Sequence, residues 1–201
     1  LDLVEQIEAA GIALHHIDLG GGLGITYRDE TPPAADDLLQ QVLARMDARG
    51  MGQRKIVLEP GRSLIGNAGV CISEVLYLKH GTEKNFCIID AAMNDLPRPA
   101  MYNAWHAIVP VQAADRAAAT TVYDVVGPVC ESGDWLGRER PLAVQAGDWL
   151  AVMSAGAYCM SMASNYNSRC RAAEVLVANG SAHVIAERET LSALTARERL
   201  L

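Results

Sequence analysis

Ala13-Leu14-His15-His16-Ile17-Asp18-Leu19-Gly20-Gly21-Gly22-Leu23-Gly24 is the stretch on which the fold turns. A short apolar run, residues 13–19, passes directly into a glycine loop. Before it, Leu3, Val4, Ile7 and Ala10 fall at helical spacing and Gly11 is a helix stop. Helix, strand and glycine loop in that order are the grammar of a parallel α/β protein. The next unit repeats it. Thr31-Pro32-Pro33 marks a loop, Leu38, Leu39, Val42, Leu43 and Met46 line one helix face, and Gly50 and Gly52 end that helix. Ile56-Val57-Leu58 then reads as a buried strand that delivers Glu59-Pro60-Gly61-Arg62 at its C-terminal end, with a further helix predicted around residues 63–69.

From Cys71 the pattern changes. Short β-rich runs at 72–79, 85–90, 107–111, 120–126 and 149–153 are separated by Gly, Pro, Asp or Asn, which predicts an antiparallel sandwich or barrel. Residues 172–177 and 182–186 predict a hairpin around Asn179-Gly180, and the charged tail after Glu187 predicts a helix. The chain therefore reads as α/β plus all-β. Two strand–helix units are too few to close a barrel, and Leu1 falls inside a helical pattern, so a piece of a longer product is expected.

Half of the 201 residues are hydrophobic and a fifth are charged, which excludes a disordered or collagen-like chain. The net charge of −7 and a pI near 5.2 disfavour a nucleic-acid partner. The longest uncharged run, Trp149 to Ser168, is broken by serines, asparagines and a glycine and does not read as a membrane span. Five cysteines without a Cys-x-x-Cys pair argue against a disulfide framework and a zinc ribbon. A reducing, cytoplasmic location and no metal are expected.

Five segments carry candidate chemistry. Gly20 to Gly24 is either a backbone-amide cradle for an anion or a tight turn. Glu59 to Arg62 sets a carboxylate for a protonated cofactor nitrogen beside an arginine for a carboxylate, or forms a structural ion pair. Gly127 to Asp134 holds Cys130, a thiol that is mostly protonated near neutrality and can act as a proton donor, or a small buried hydrophobe. Asp95 to Tyr102 offers an arginine flanked by prolines, and Gly156 to Asn167 is rich in hydroxyls and amides.

In this order the five segments resemble the diaminopimelate decarboxylase family, whose members use pyridoxal 5'-phosphate (PLP) and belong to the alanine-racemase-like, fold-type III group. The resemblance implies that residues 1–70 are the C-terminal units of a PLP-binding TIM (β/α)8 barrel and residues 71–201 a β domain with a closing helix. It implies that Gly20, Gly21, Gly22 and Tyr158 bind the PLP phosphate, that Glu59 faces the pyridine nitrogen, and that Gly61 and Arg62 complete that wall. Arg62, Arg98 and Tyr102, with Tyr158 nearby, would hold the distal end of meso-diaminopimelate, Glu131 its distal ammonium, and Cys130 would protonate the carbon that loses CO2. The Cys130 loop would reach the partner's site in a homodimer. The family's Schiff-base lysine matches none of Lys55, Lys79 and Lys84, so residues 1–201 alone are expected to be inactive. The alternatives are a sibling decarboxylase of ornithine, arginine or carboxynorspermidine, and a non-catalytic regulatory homologue. Glu131 with Arg98 favours a substrate with an amino-acid head at both ends.

Overall fold

The computed structural model describes residues 1–112 and 119–199. Helix α1 (Asp2–Ala9) leads into β1 (His16–Asp18), and α2 (Ala35–Asp47) leads into β2 (Lys55–Val57). The two strands pair in parallel, with Ile17 opposite Ile56. Ile17 is buried with Met46 of α2 and Met51, and Leu1, Val4, Val42 and Ile56 pack on that cluster. The predicted helix near residue 63 is α3 (Gly61–Ile65), followed by a 3₁₀ turn over Gly66–Ala68.

From Cys71 onward lies a six-stranded sheet built from β3 (Cys71–His80), β4 (Asn85–Ile89), β5 (Ile108–Pro110), β6 (Thr121–Val126), β7 (Trp135–Leu142) and β8 (Trp149–Val152). Its order is β5-β8-β3-β4-β6-β7. Short α4 (Arg98–Tyr102) lies between β4 and β5. The expectation of an antiparallel domain is corrected at one place. β4 and β6 run parallel, from Phe86 opposite Asp124 to Ile88 opposite Val126. The chain leaving β4 travels through α4 and β5 before it returns, and a crossover of that kind delivers a parallel strand where a hairpin cannot. One strand escaped the sequence reading altogether. β7 contains Arg138, Glu139, Arg140 and Pro141, a charged stretch with no apolar alternation, and it is an edge strand, where proline is tolerated.

The sheet's core is Val75, Cys87, Ile89, Tyr123, Val125, Leu136, Leu150 and Val152, with others packed around them. The predicted closing hairpin is β9 (Glu174–Ala178) and β10 (Ser181–Ala186). It turns through Asn179 and Gly180 at φ 51° and 75°, the left-handed pair that a two-residue hairpin loop requires. α5 (Leu191–Thr195) follows, its first turn capped by the Thr190 hydroxyl.

Three glycines bring the segment before Cys71 against the sheet. Gly156 N donates to Gly66 O at 3.0 Å and Ala155 N to Gly69 O at 2.8 Å. A Cβ on Gly69 would lie 2.5 Å from the Gly156 Cα, and a Cβ on Gly156 would overlap the Ile65 carbonyl. Asn67 adds a side-chain tie, donating to Thr26 O at 3.0 Å and Ser154 Oγ at 2.7 Å. Backbone cannot retreat as a flexible side chain can, so Gly69→Ala is expected to lower stability by about 1–3 kcal/mol, the usual cost of overpacking. A urea midpoint measured beside that of the unaltered protein checks this.

Candidate active site

The ends of β1 and β2 join the first two predicted site segments. Asp18, the last residue of β1, accepts the Gly20 amide at 2.7 Å, and Gly20 O accepts the Glu59 amide at 2.8 Å. Gly20 and Gly22 have φ of 67° and 90°, which side-chain-bearing residues rarely adopt. Gly21 has no room for a Cβ, because the Glu59 carbonyl occupies that space. The Gly20 amide is thus engaged by Asp18, while among the described residues the Gly21 and Gly22 amides take no hydrogen bond. Glu59 is exposed at the strand end and Gly61 opens α3. Arg62, next in α3, has its Nε buried without a partner among the described residues.

Arg98 begins α4. Pro97 is the N-cap and Pro99 falls in the first turn, where a fixed φ suits the helix and no amide is needed. Arg98 Nη1 donates to Tyr27 Oη at 2.7 Å and lies 3.2 Å from His106 Nε2. His106 Nδ1 is 2.9 Å from Met153 O. His106 is fully buried, and burial holds its pKa below the ordinary histidine value. Tyr102, one turn beyond Arg98 on the same helix, is exposed. Tyr27 and His106 escaped the sequence reading. A lone aromatic after a glycine loop and a lone histidine carry no local signal.

The Cys130 loop is pinned from beneath. Asp134 is buried, and its carboxylate accepts the Met93 and Val129 amides, each at 2.7 Å. Gly127 N donates to Asp134 O at 3.0 Å, and a Cβ on Gly127 would stand 2.5 Å from the same carboxylate. Burial pushes the Asp134 carboxyl up from its ordinary pKa. Above this anchor Cys130 is an exposed free thiol. Glu131 accepts the Gly133 amide at 3.0 Å and the Tyr166 hydroxyl at 3.2 Å, and that bond with Glu131's charge holds the Tyr166 hydroxyl above its usual pKa. The Tyr166 segment is itself tied by Asn94, which donates to Ser164 O at 3.1 Å and Tyr166 O at 2.8 Å. Tyr158 is exposed, beside buried Cys159, whose thiol donates to Asp95 O at 2.9 Å.

The structure therefore joins the glycine loop with Glu59, Arg98 with Tyr27 and His106, and Glu131 with Tyr166. Among the described residues no hydrogen bond or ion pair links the Cys130–Asp134 loop to residues 20–22 or 59–62, and the hydroxyls of Tyr102 and Tyr158 take no partner.

A family model, pyridoxal-dependent decarboxylase, C-terminal sheet domain, matches residues 14–156. The chain belongs to the pyridoxal-dependent decarboxylase family. Within that family it is 51% identical to the diaminopimelate decarboxylase of Pseudomonas aeruginosa, over all of this chain and 47% of that relative. It is 48% identical to the diaminopimelate decarboxylase of Vibrio cholerae, over all of this chain and 47% of that relative. It also superposes on the crystal structure of diaminopimelate decarboxylase from M. jannaschii in co-complex with L-lysine, with a TM-score of 0.92, 38% identity and coverage of 100% of this chain and 46% of that one. The chain thus spans about half the length of the family members it matches.

Proposed function

We propose that the full-length protein uses PLP to decarboxylate meso-2,6-diaminopimelate to L-lysine and CO2, the last step of lysine biosynthesis. The observation that carries this reading is the match, at about half identity along the entire chain, to relatives named for that activity. Gly21 and Gly22, which carry no side chains and whose amides take no hydrogen bond among the described residues, sit on a loop bonded to Glu59 and are suited to an anionic cofactor, and Arg62 offers a buried Nε without a partner among the described residues. When bound, PLP supplies the electron sink for the pair released as CO2 leaves.

In this reading Gly20 makes the turn, and the Gly21 and Gly22 amides with the Tyr158 hydroxyl hold the phosphate. Glu59 keeps the ring nitrogen protonated, and Gly61 and Arg62 close that side. Arg62, Arg98 and Tyr102 bind the distal carboxylate, and Glu131 the distal ammonium. The Cys130 thiol gives its proton to the carbon that lost CO2. Cys130 and Glu131 act in the partner's site of a homodimer, which is supported by their exposure and by the absence of bonds from their loop to the glycine loop among the described residues. Residues 1–70 are barrel units and 71–201 the β domain, and the protein works in the cytoplasm. Among the described residues no helix is long and apolar enough to cross a membrane.

The test is CO2 release by the full-length protein with PLP from diaminopimelate, ornithine and arginine in parallel. Release from diaminopimelate alone, with lysine formed, is expected. Release from another amino acid replaces the substrate, and no release from any favours the non-catalytic homologue. A second expectation concerns the cofactor. Gly21→Ala drives a methyl into the Glu59 carbonyl and displaces the loop, and PLP affinity is expected to fall roughly tenfold, equivalent to about 1.4 kcal/mol. Absorbance titration of the apoprotein with PLP measures it.

A further inference from the structure

Both hydrogens of one Arg98 terminal nitrogen are already engaged inside the protein. Tyr27 Oη accepts from Nη1 at 2.7 Å, and His106 Nε2 stands 3.2 Å away. A guanidinium has no lone pair to offer, so Nε2 is the acceptor. A carbonyl cannot donate, so Nδ1 carries the ring hydrogen and gives it to Met153 O at 2.9 Å. Partners on both edges of the imidazole thus select one neutral tautomer. Burial favours the same form, as do the Arg98 and Arg140 charges, against the pull of the Met153 carbonyl. The Tyr27 ring completes the clamp. It lies 4.8 Å from the Arg98 guanidinium carbon and meets the His106 ring edge-on at 5.2 Å. Among the described residues, Arg98 Nε and Nη2 take no partner.

We infer that Tyr27 and neutral His106 are positioning residues that occupy Nη1 and reserve the Nε–Nη2 edge of Arg98 as the two-pronged grip for the substrate's distal carboxylate. A carboxylate pairs best with two parallel N–H groups, and an end-on grip would need the Nη1 hydrogens that Tyr27 and His106 hold. The inference rests on the proposed decarboxylase function and adds which edge of the arginine binds and what orients it.

Steady-state kinetics of the full-length holoenzyme carrying His106→Leu, His106→Gln or Tyr27→Phe test it. Leucine fills the space without an acceptor, whereas the glutamine side-chain oxygen can take the Arg98 hydrogen. His106→Leu is expected to raise KM for diaminopimelate by about tenfold with kcat within about twofold, the size of a lost charge-assisted hydrogen bond. Competitive inhibition by L-lysine, which keeps the distal carboxylate, weakens in step. Inhibition by pentane-1,5-diamine, which has no carboxylate, stays within about twofold. His106→Gln recovers most of the loss, and Tyr27→Phe, which deletes one hydroxyl and keeps the ring, raises KM by roughly threefold. If His106→Leu does not fold, the glutamine and phenylalanine variants carry the comparison. Equal weakening toward lysine and the diamine, or an unchanged KM in Tyr27→Phe, overturns the inference while the decarboxylase reading stands. Wild-type protein inert toward diaminopimelate overturns both.

Discussion

Cys130→Ala in the full-length protein is expected to cut decarboxylation of diaminopimelate by about 10²–10⁴-fold, the contribution of a positioned general acid. The thiol is exposed at the tip of a loop whose anchor, Asp134, lies beneath it, so its removal leaves the anchor intact. Surface substitutions of this kind shift stability by no more than about 0.5 kcal/mol. The loss should therefore fall on kcat, with PLP content and thermal midpoint unchanged. Parallel assays of CO2 release and lysine formation decide it, and wild-type kcat in the alanine variant would remove Cys130 from the mechanism.

Asp134→Ala should be the most damaging change to stability. It leaves the Met93 and Val129 amides buried without an acceptor, at about 1–3 kcal/mol each. The total loss is expected to be roughly 2–5 kcal/mol, read from denaturant unfolding. Activity should fall too, because the Cys130 loop loses its tie to the loop at Met93. Asp134→Asn is the milder variant and separates the charge from the shape. Burial raises the Asp134 pKa, so the folded state holds the proton more tightly than the unfolded one. Stability from this group is full below the unfolded carboxylate value and is lost as pH rises through the raised folded value. The asparagine variant should lack that acid-side component, and an identical pH profile in the two proteins would contradict the assignment.

The glycine loop and Glu59 were legible in the sequence because a strand and the loop it delivers are neighbours in the chain. The hairpin at Asn179-Gly180 was legible for the same reason. Partnerships across distance were not. Tyr27 and Arg98 are 71 residues apart, and nothing near either predicts the other. Arg140 illustrates the obstacle in β7. It looks solvated in sequence, yet it is buried with its guanidinium carbon 3.1 Å from the Trp105 ring centroid, while Arg28 covers the ring at 4.7 Å. Stacking on an aromatic face lets a charged residue sit inside, and only the fold assembles that face. The parallel β4–β6 pair is a similar case, because hydrophobic alternation reports which way side chains point and is silent about strand direction. The five candidate segments were individually ambiguous, and the roles proposed for them follow from their family order, which local chemistry alone left open.

The joint at Gly66, Gly69 and Gly156 bears on how the two parts of the molecule can diversify. At Gly69 and Gly156 the contacts run main chain to main chain, so no side chain at those two positions can be resized to absorb a change on the other side. The relative angle of the two parts is set by that peptide-to-peptide fit together with the side-chain tie from Asn67 to Ser154. Surfaces on either side can drift in sequence without disturbing that angle, provided Gly69 and Gly156 stay bare and the Asn67–Ser154 pair is kept. A sheet grafted from one relative onto the preceding segment of another would then seat in register where Gly69 and Gly156 are kept, and would be wedged apart by a single methyl where either is not.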